Sequence, residues 1–318
     1  MEPASGSRYT VAMKLKALVL ALRPQQWVKN VFVLAALVFA AGERGGFAGQ
    51  DLAGVWRTVW AFFGFCLGSS AVYLVNDLCD IESDRKHPTK CLRAIACGAV
   101  SPPVAWTAAL ACAAGALALA LRAGGDPPVV WVVAAYMALN LAYSLRLKHV
   151  VLVDAFCIAG GFLLRVYGGG LAAGAQVSHW LMLCTLFLAL FLALCKRRAE
   201  TDLLGEGRGE HRAILLQYNA GFLDQMVTVL SACTILTYTM YTVSEETAKK
   251  FGASHSLIWT VPFVVFGLAR YMLLVQRREG GGSPTRVLLG GDLLFGLDVI
   301  AWAGTVAIVL FLRHRASP

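Results

Sequence analysis

The sequence predicts an all-α fold, a polytopic membrane helix bundle of about nine spans, and three observations predict it. The 318 residues are 58% hydrophobic and only 15% charged. Mean hydropathy is +0.64, which suits a chain lying mostly in lipid rather than a soluble domain. Apolar runs of span length recur along the chain, and lysine and arginine alternate between rich and poor connections. No long polar segment interrupts the pattern, so one membrane domain over 1–318 is expected.

Residues 1–22 are weakly amphipathic, carry Lys14 and Lys16 and lack a cleavage pattern, and so read as a retained N-terminal cytoplasmic segment. Spans follow at 24–41, 55–75, 103–121, 128–145, 150–168, 179–195, 222–243, 256–276 and 292–312. The first opens on Arg23-Pro24-Gln25-Gln26-Trp27-Val28-Lys29-Asn30, with Trp27 as an interfacial anchor and Lys29 about one turn deep. Pro102 and Pro103 suit the first turn of the third. Asp154 and Arg165 share a face of the fifth but stand about 16 Å apart along its axis, so each needs its own partner inside the bundle. Pro262 reads as a kink in the eighth span, and Gly168-Gly169-Gly170 and Gly280-Gly281-Gly282 as flexible connections.

Loop charge orients the bundle. Arg8, Lys14, Lys16 and Arg23, then Arg85, Lys86, Lys90 and Arg93, then Arg146 and Lys148 fall on one side. Lys196, Arg197, Arg198, Arg208 and Arg212, then Arg277, Arg278 and Arg286 continue that side. The other side has Arg44, Arg122 and a Lys249-Lys250 pair offset by Glu245 and Glu246. The rich side is expected to be cytoplasmic, with the N-terminus there and the C-terminus outside, against which Arg313 and Arg315 dissent. A multi-pass protein of the inner (plasma) membrane follows. Net charge is +9, but the cations are dispersed among hydrophobic spans, which excludes a nucleic-acid partner and leaves membrane lipids and anionic ligands. The nine cysteines include no C-x-x-C pair and read as apolar packing residues. The histidines show no metal spacing, and His87 and His149 read as solvated loop residues.

The densest charge in the chain lies at the end of the second span, in a cytoplasmic loop over 76–101. On a helix, with Asn76 at zero, Asp80 falls near ~40°, Tyr73 near ~60°, Asp84 near ~80° and Asp77 near ~100°. One quarter of the surface thus carries three carboxylates, an amide and a phenol. Like charges on one face repel, and a divalent cation removes the conflict. Carboxylate and amide oxygens suit Mg²⁺, which keeps several waters and takes substrate phosphates. Arg85, Lys86, Lys90 and Arg93 follow, cations suited to phosphate oxygens. Elsewhere Tyr143 to His149 reads as a tight turn carrying Lys148, and Lys196-Arg197-Arg198-Ala199-Glu200 opens a cap loop over 196–221. Lys196 and Glu200 are spaced to pair, Arg198 suits a positive cap, and Lys196 and Arg197 adjoin the boundary where a lipid phosphate lies.

With these residues the chain resembles the UbiA-type intramembrane prenyltransferase superfamily. Asn76-Asp77-x-x-Asp80-x-x-x-Asp84 is similar to that superfamily's first acidic motif. Within it the resemblance is to the decaprenyl-phosphate phosphoribosyltransferase branch. Arg23-Pro24-x-Gln26-Trp27-Val28-Lys29-Asn30, Ala71 to Asp77, Asp84-Arg85-x-His87-Pro88-Thr89-Lys90, Leu147-Lys148-His149, Leu164-Arg165 and Lys196-Arg197-x-Ala199-Glu200 carry it. Aromatic prenyltransferases of the superfamily have a second Asp-x-x-x-Asp motif after the sixth helix, and here Lys196, Arg197 and Arg198 replace most of that acid.

The resemblance implies transfer of 5-phosphoribose from 5-phosphoribosyl 1-diphosphate to a polyprenyl phosphate, releasing diphosphate and feeding an arabinose donor for cell-envelope glycans. It implies Mg²⁺ on Asn76, Asp77 and Asp80, with Asp84 beside them. Asp77, Asp80 and Lys148 are the expected catalytic residues. Lys29, Tyr73, Asp84, Lys90 and Arg93 are expected on the donor, and Lys148, Arg165, Lys196 and Arg197 towards the lipid phosphate. An aromatic prenyltransferase using a polyprenyl diphosphate stays open, as does an ion-coupled transporter with intramembrane carboxylates. Product mass separates the first from the phosphoribosyl reading, and ion flux in liposomes the second. Homo-oligomerisation, prenyl chain length and the roles of Asp154, Glu200 and Asp202 are left open.

Overall fold

The structure is a computed structural model, and it describes residues 11–35, 37, 52–203, 218–251, 256–277, 287 and 291–316, with backbone alone at 11, 249–251, 310 and 313–316. Expectations placed on residues 1–10, Arg44, Arg208, Arg212, Arg278, Gly280–Gly282 and Arg286, and on the side chains of Lys249, Lys250, Arg313 and Arg315, lie outside the described residues. Helices account for the described chain: α1 Val11–Ala21, α2 Leu52–Cys79, α3 Ile81–Lys86, α4 Pro102–Ala123, α5 Val129–Leu145, α6 Val153–Ala173 and α7 His179–Leu203, then α8 Ala220–Val243, α9 Glu245–Phe251, α10 Val261–Gln276 and α11 Leu293–Ala316. Among the described residues there is no strand.

Six of these stretches are long and apolar enough to cross a membrane: α2, α4, α6, most of α7, α8, and Ser256–Gln276, which joins a 3-10 turn to α10. Two shorter apolar helices, α5 and Leu293–Val309 of α11, stand where two further spans are expected. The first expected span begins as a 3-10 helix, Pro24–Asn30, and continues helically through 31–35 and 37, its remainder lying outside the described residues.

Local chemistry explains the boundaries. Pro102 and Pro103 occupy the first turn of α4, where a missing N–H costs nothing, after Ser101 in extended conformation. Gly174, at φ 66°, closes α6 by donating its N–H to Gly170 and Leu171. Pro262 corrects an expectation: it stands in the first turn of α10 and separates it from the 3-10 turn Ser256–Thr260, so it starts a helix rather than kinking one. Gly168-Gly169-Gly170 corrects another. These glycines are buried inside α6. A Cβ at 168 would stand 2.9 Å from the Phe65 ring, and one at 169 would strike the backbone carbonyl of Val33. The run is a close-packing face, not a flexible joint.

Two cores result. Val33, Phe65, Ala120, Val132, Tyr136 and Ala172 form one, among the helical segment 31–35, α2, α4, α5 and α6. Ala155, Ala159, Phe191, Leu194, Leu223, Leu230 and Tyr271 form the other, among α6, α7, α8 and α10. α6 belongs to both. A smaller cluster packs Ala17, Leu18 and Ala21 of α1 against Leu74, Ile95 and Val100, seating the loop after α3 on the end of α2.

Candidate active site

Helix α2 ends at Cys79, but its backbone path hardly breaks. Asp80 donates its N–H to Asn76 at 3.0 Å, and Asp84 donates to Asp80 at 2.8 Å. The acids therefore keep nearly the helical spacing read from the sequence, with the turn at Asp80 aiming them in two directions. Asp77 and Asp84 point inward, 4% and 2% exposed. One guanidinium, Arg93, donates to Asp77 at 3.1 Å and to Asp84 at 2.7 Å. Arg23 donates to both Asp77 oxygens, at 2.6 and 2.9 Å, and lies 4.8 Å over the Tyr73 ring. It does so from a left-handed backbone, φ 53°, ahead of Pro24.

Asp80 turns the other way. Lys148, on the 3-10 turn Leu147–His149, donates to its two oxygens at 2.9 and 3.0 Å, and Asn76 donates at 3.1 Å. Asp80 keeps 27% of its side chain exposed. Beyond, the His87 ring accepts the backbone N–H groups of Thr89 and Lys90 at 3.2 and 3.3 Å, and so shapes the turn that carries Lys90.

Deeper in the bundle, Arg165 donates to the Asn30 side-chain Oδ1 and the Tyr136 hydroxyl, both at 2.7 Å. Lys29 lies where Arg165 and Arg23 both repel it. These are the partners that an intramembrane arginine requires.

Asp154, fully buried, finds its partners in the other half. It accepts from Arg197 at 2.8 Å and from the Tyr218 hydroxyl at 2.9 Å. Arg197 also pairs with Glu200 and is 1% exposed, so the guanidinium expected at a lipid phosphate is engaged inside the protein. The Tyr218 oxygen in turn accepts the N–H of Leu152, a non-glycine residue at φ 66°. Burial pushes the Tyr218 phenol up to about 12. Lys196 is exposed at 46%, 3.9 Å from Glu200, and Arg198 donates to Asp224 at 2.7 Å.

The donor chemistry can be tested against Mg²⁺. Asn76 and Asp80 offer hard oxygens on half-buried side chains, with Lys148 holding both Asp80 oxygens, and Mg²⁺ is commonly held by one or two carboxylates with substrate phosphates and waters. Among the described residues no three acids converge into a closed cage, and Asp77 and Asp84 are engaged by arginines. The residues fit an ion that arrives with a phosphorylated ligand, not a resident one.

The expected residues thus sort into groups. Tyr73, Asn76, Asp77, Asp80, Asp84, Arg93 and Lys148 meet at one end, Lys29 and Arg165 deeper, and Arg197 in the second core. Sequence reasoning missed Arg23, Asn30, Tyr136 and Tyr218 as site builders. Arg23 was visible as a cation immediately before a proline at the membrane boundary, whereas Tyr218 carried no signal.

The model of the UbiA prenyltransferase family matches residues 30–205. A Corynebacterium glutamicum protein named decaprenyl-phosphate phosphoribosyltransferase is 34% identical over 93% of this chain and 87% of its own length. A protein of the same name from Mycolicibacterium smegmatis is 32% identical over 93% of both chains. Among solved structures, a UbiA homolog from Archaeoglobus fulgidus bound to GPP and Mg²⁺ superposes with a TM-score of 0.69 at 19% identity, covering 92% of this chain and 99% of that one.

Proposed function

The chain belongs to the UbiA prenyltransferase family, and on that premise we propose that it is a phosphoribosyltransferase of the membrane. It moves 5-phosphoribose from 5-phosphoribosyl 1-diphosphate to a polyprenyl phosphate of decaprenyl type and releases diphosphate. Its site faces the cytoplasm at the plasma membrane, and its product supplies a pentose donor for envelope glycans. The observation that carries this reading is the meeting of Asp80, on the acidic loop, with Lys148, from the far side of α5, at 2.9 Å. A carboxylate for a cation-borne diphosphate and an ammonium for a phosphate then stand side by side.

The difficulty of the reaction is electrostatic, because two anions must approach each other. Mg²⁺, held by Asn76 and Asp80 with Asp77 adjoining, would supply charge neutralisation of the leaving diphosphate. Arg93 and Arg23, oriented by Asp77 and Asp84, line the donor's side, with Lys90 and Tyr73. Lys148 draws the acceptor phosphate towards the anomeric carbon. The acceptor oxygen forms a bond to C1 as the bond from C1 to the diphosphate oxygen breaks, and the electron pair leaves with diphosphate. A phosphomonoester with a second pKa near about 6 is largely dianionic at neutral pH, so no protein base has to remove a proton. Arg197 and Arg198, where aromatic prenyltransferases have acid, support this reading over prenyl transfer from a second metal-borne diphosphate.

The test uses purified protein in detergent with Mg²⁺, 5-phosphoribosyl 1-diphosphate and polyprenyl phosphates of several lengths, with products identified by mass. A phosphoribosyl lipid is expected, and its absence alongside a prenylated aromatic product overturns the reading. Asp80→Asn and Lys148→Ala are each expected to lower turnover on the order of a hundredfold, as loss of a group that stabilises developing charge does.

A further inference from the structure

The cations of this bundle fall into two electrostatic classes. Arg23, Arg93, Lys148, Arg197 and Arg270 each hold a carboxylate. Arg165 and Lys29 hold none among the described residues. Arg165 is 7% exposed, and its place twelve residues into α6 puts its Cα about 18 Å from the start of that helix.

Everything that fixes Arg165 is neutral. Its guanidinium stacks at 4.6 Å on the Tyr136 ring and 5.0 Å on Phe162. The Asn30 amide that accepts from it is itself held, donating to Cys66 Sγ at 3.3 Å and to Ser69 Oγ at 3.4 Å. Ser69 also meets the Tyr136 hydroxyl at 3.0 Å. These bonds use Nε and Nη2. Nη1 makes no hydrogen bond among the described residues and faces Gly161, where a Cβ would come to 3.4 Å. Lys29 adjoins Asn30 in the chain, and its ammonium likewise makes no hydrogen bond among the described residues.

A guanidinium removed from water without a counter-charge, with a second, half-buried cation beside it, is a costly arrangement. Arg197, also buried, shows the ordinary remedy, a carboxylate on each side. At Arg165 the fold instead supplies neutral acceptors that orient the guanidinium and leave donors unused. That is how a preorganised anion receptor is built.

We propose that Arg165 and Lys29 form a metal-independent subsite for a phosphomonoester dianion, separate from the acid-lined mouth at Asp80. The inference rests on the transferase reading for the source of that group, because both substrates carry one: the 5-phosphate of the sugar donor and the headgroup of the lipid acceptor. A diphosphate needs its cation and the acids, whereas a monoester brings a charge that these two residues neutralise by themselves.

The experiment measures binding of ribose 5-phosphate and of farnesyl phosphate to purified full-length protein in EDTA, with farnesol as the chain control. One of the two is expected to bind wild type and Asp80→Asn alike, and about tenfold or more weakly to Lys29→Gln and Arg165→Gln. The probe that behaves so identifies the source. If Arg165→Gln fails to fold, the partly exposed Lys29→Gln carries the comparison. Binding of neither probe, or binding unchanged in Lys29→Gln, overturns the subsite. Formation of the phosphoribosyl lipid by wild type, measured separately, keeps the two readings apart. Turnover without EDTA-resistant binding refutes the subsite alone, and binding without that product refutes the transferase alone.

Discussion

Arg93 joins two carboxylates that have almost no access to water, and its removal tests what holds the acidic loop. Asp84 is 2% exposed and receives its ion pair from Arg93, whereas Asp77 has Arg23 as well. Arg93→Ala leaves Asp84 buried and uncompensated, an arrangement that costs about 3 kcal/mol or more. Thermal unfolding in detergent should show that loss, and adding Asp84→Ala should restore part of it, because the stranded charge disappears. An Arg93→Ala protein as stable as wild type would mean that the pair is not formed. Much of this site was legible as residues. A period of about 100° placed five polar groups on one arc, and their near-helical spacing is kept in the fold. What the period could not give was the division of labour at Asp80, where a single turn sends Asp77 and Asp84 to arginines and leaves Asp80 to Lys148. Nor could it reveal Arg197 as buried, since a cation at a helix end looks the same in sequence whether it faces lipid or a carboxylate on another helix.

At the scale of elements, the turn between α5 and α6 carries Lys148 into the site, and its shape is held from a distance. Leu152 has φ 66°, a conformation that side chains other than glycine adopt at a cost of about 1–3 kcal/mol. The Tyr218 hydroxyl accepts the Leu152 N–H at 2.8 Å and donates to Asp154 at 2.9 Å, so one phenol fixes both the turn and the first turn of α6. Tyr218→Phe keeps the ring and removes both bonds, which should destabilise the protein by about 1–3 kcal/mol. Because Lys148 sits on the same turn, kcat per folded molecule should fall about tenfold with less change in KM for the sugar donor. A purely structural Tyr218 would lower the folded fraction and leave kcat alone. The pH dependence has a definite sign. The folded state raises the phenol from 10.0 to about 12, so it binds that proton more tightly than the unfolded chain. The stability this contributes is intact below pH 10.0 and is lost as pH rises towards about 12, and Tyr218→Phe should remove that slope from a plot of melting temperature against pH.

Over the whole molecule, the two cores are joined by α6, and the joint depends on the absence of side chains. Sequence patterning gave six spans and placed two shorter apolar helices, because apolar length is a property of the chain itself. It misread Gly168-Gly169-Gly170, because a glycine run signals either freedom or close approach, and only the neighbouring helix decides which. Here the neighbour is the backbone of Val33, one turn beyond Asn30, so the helix that positions the Arg165 acceptor crosses α6 at Gly169. A methyl group at 169 meets a carbonyl that cannot rotate away. Gly169→Ala should therefore destabilise the protein by about 3 kcal/mol, near the upper end for overpacking. It should also move Asn30 relative to Arg165, weakening phosphomonoester binding even in molecules that remain folded. Gly304→Ala is the matched control, since a Cβ at 304 meets nothing within 4 Å and a helical alanine costs no more than the glycine it replaces. Equal melting temperatures for the two variants would mean that α6 and the helical segment 31–35 do not pack as described. In that case the geometry of the deep cations would lose its support, while the acid-lined mouth, built on α2, α3 and the Lys148 turn, would keep its own.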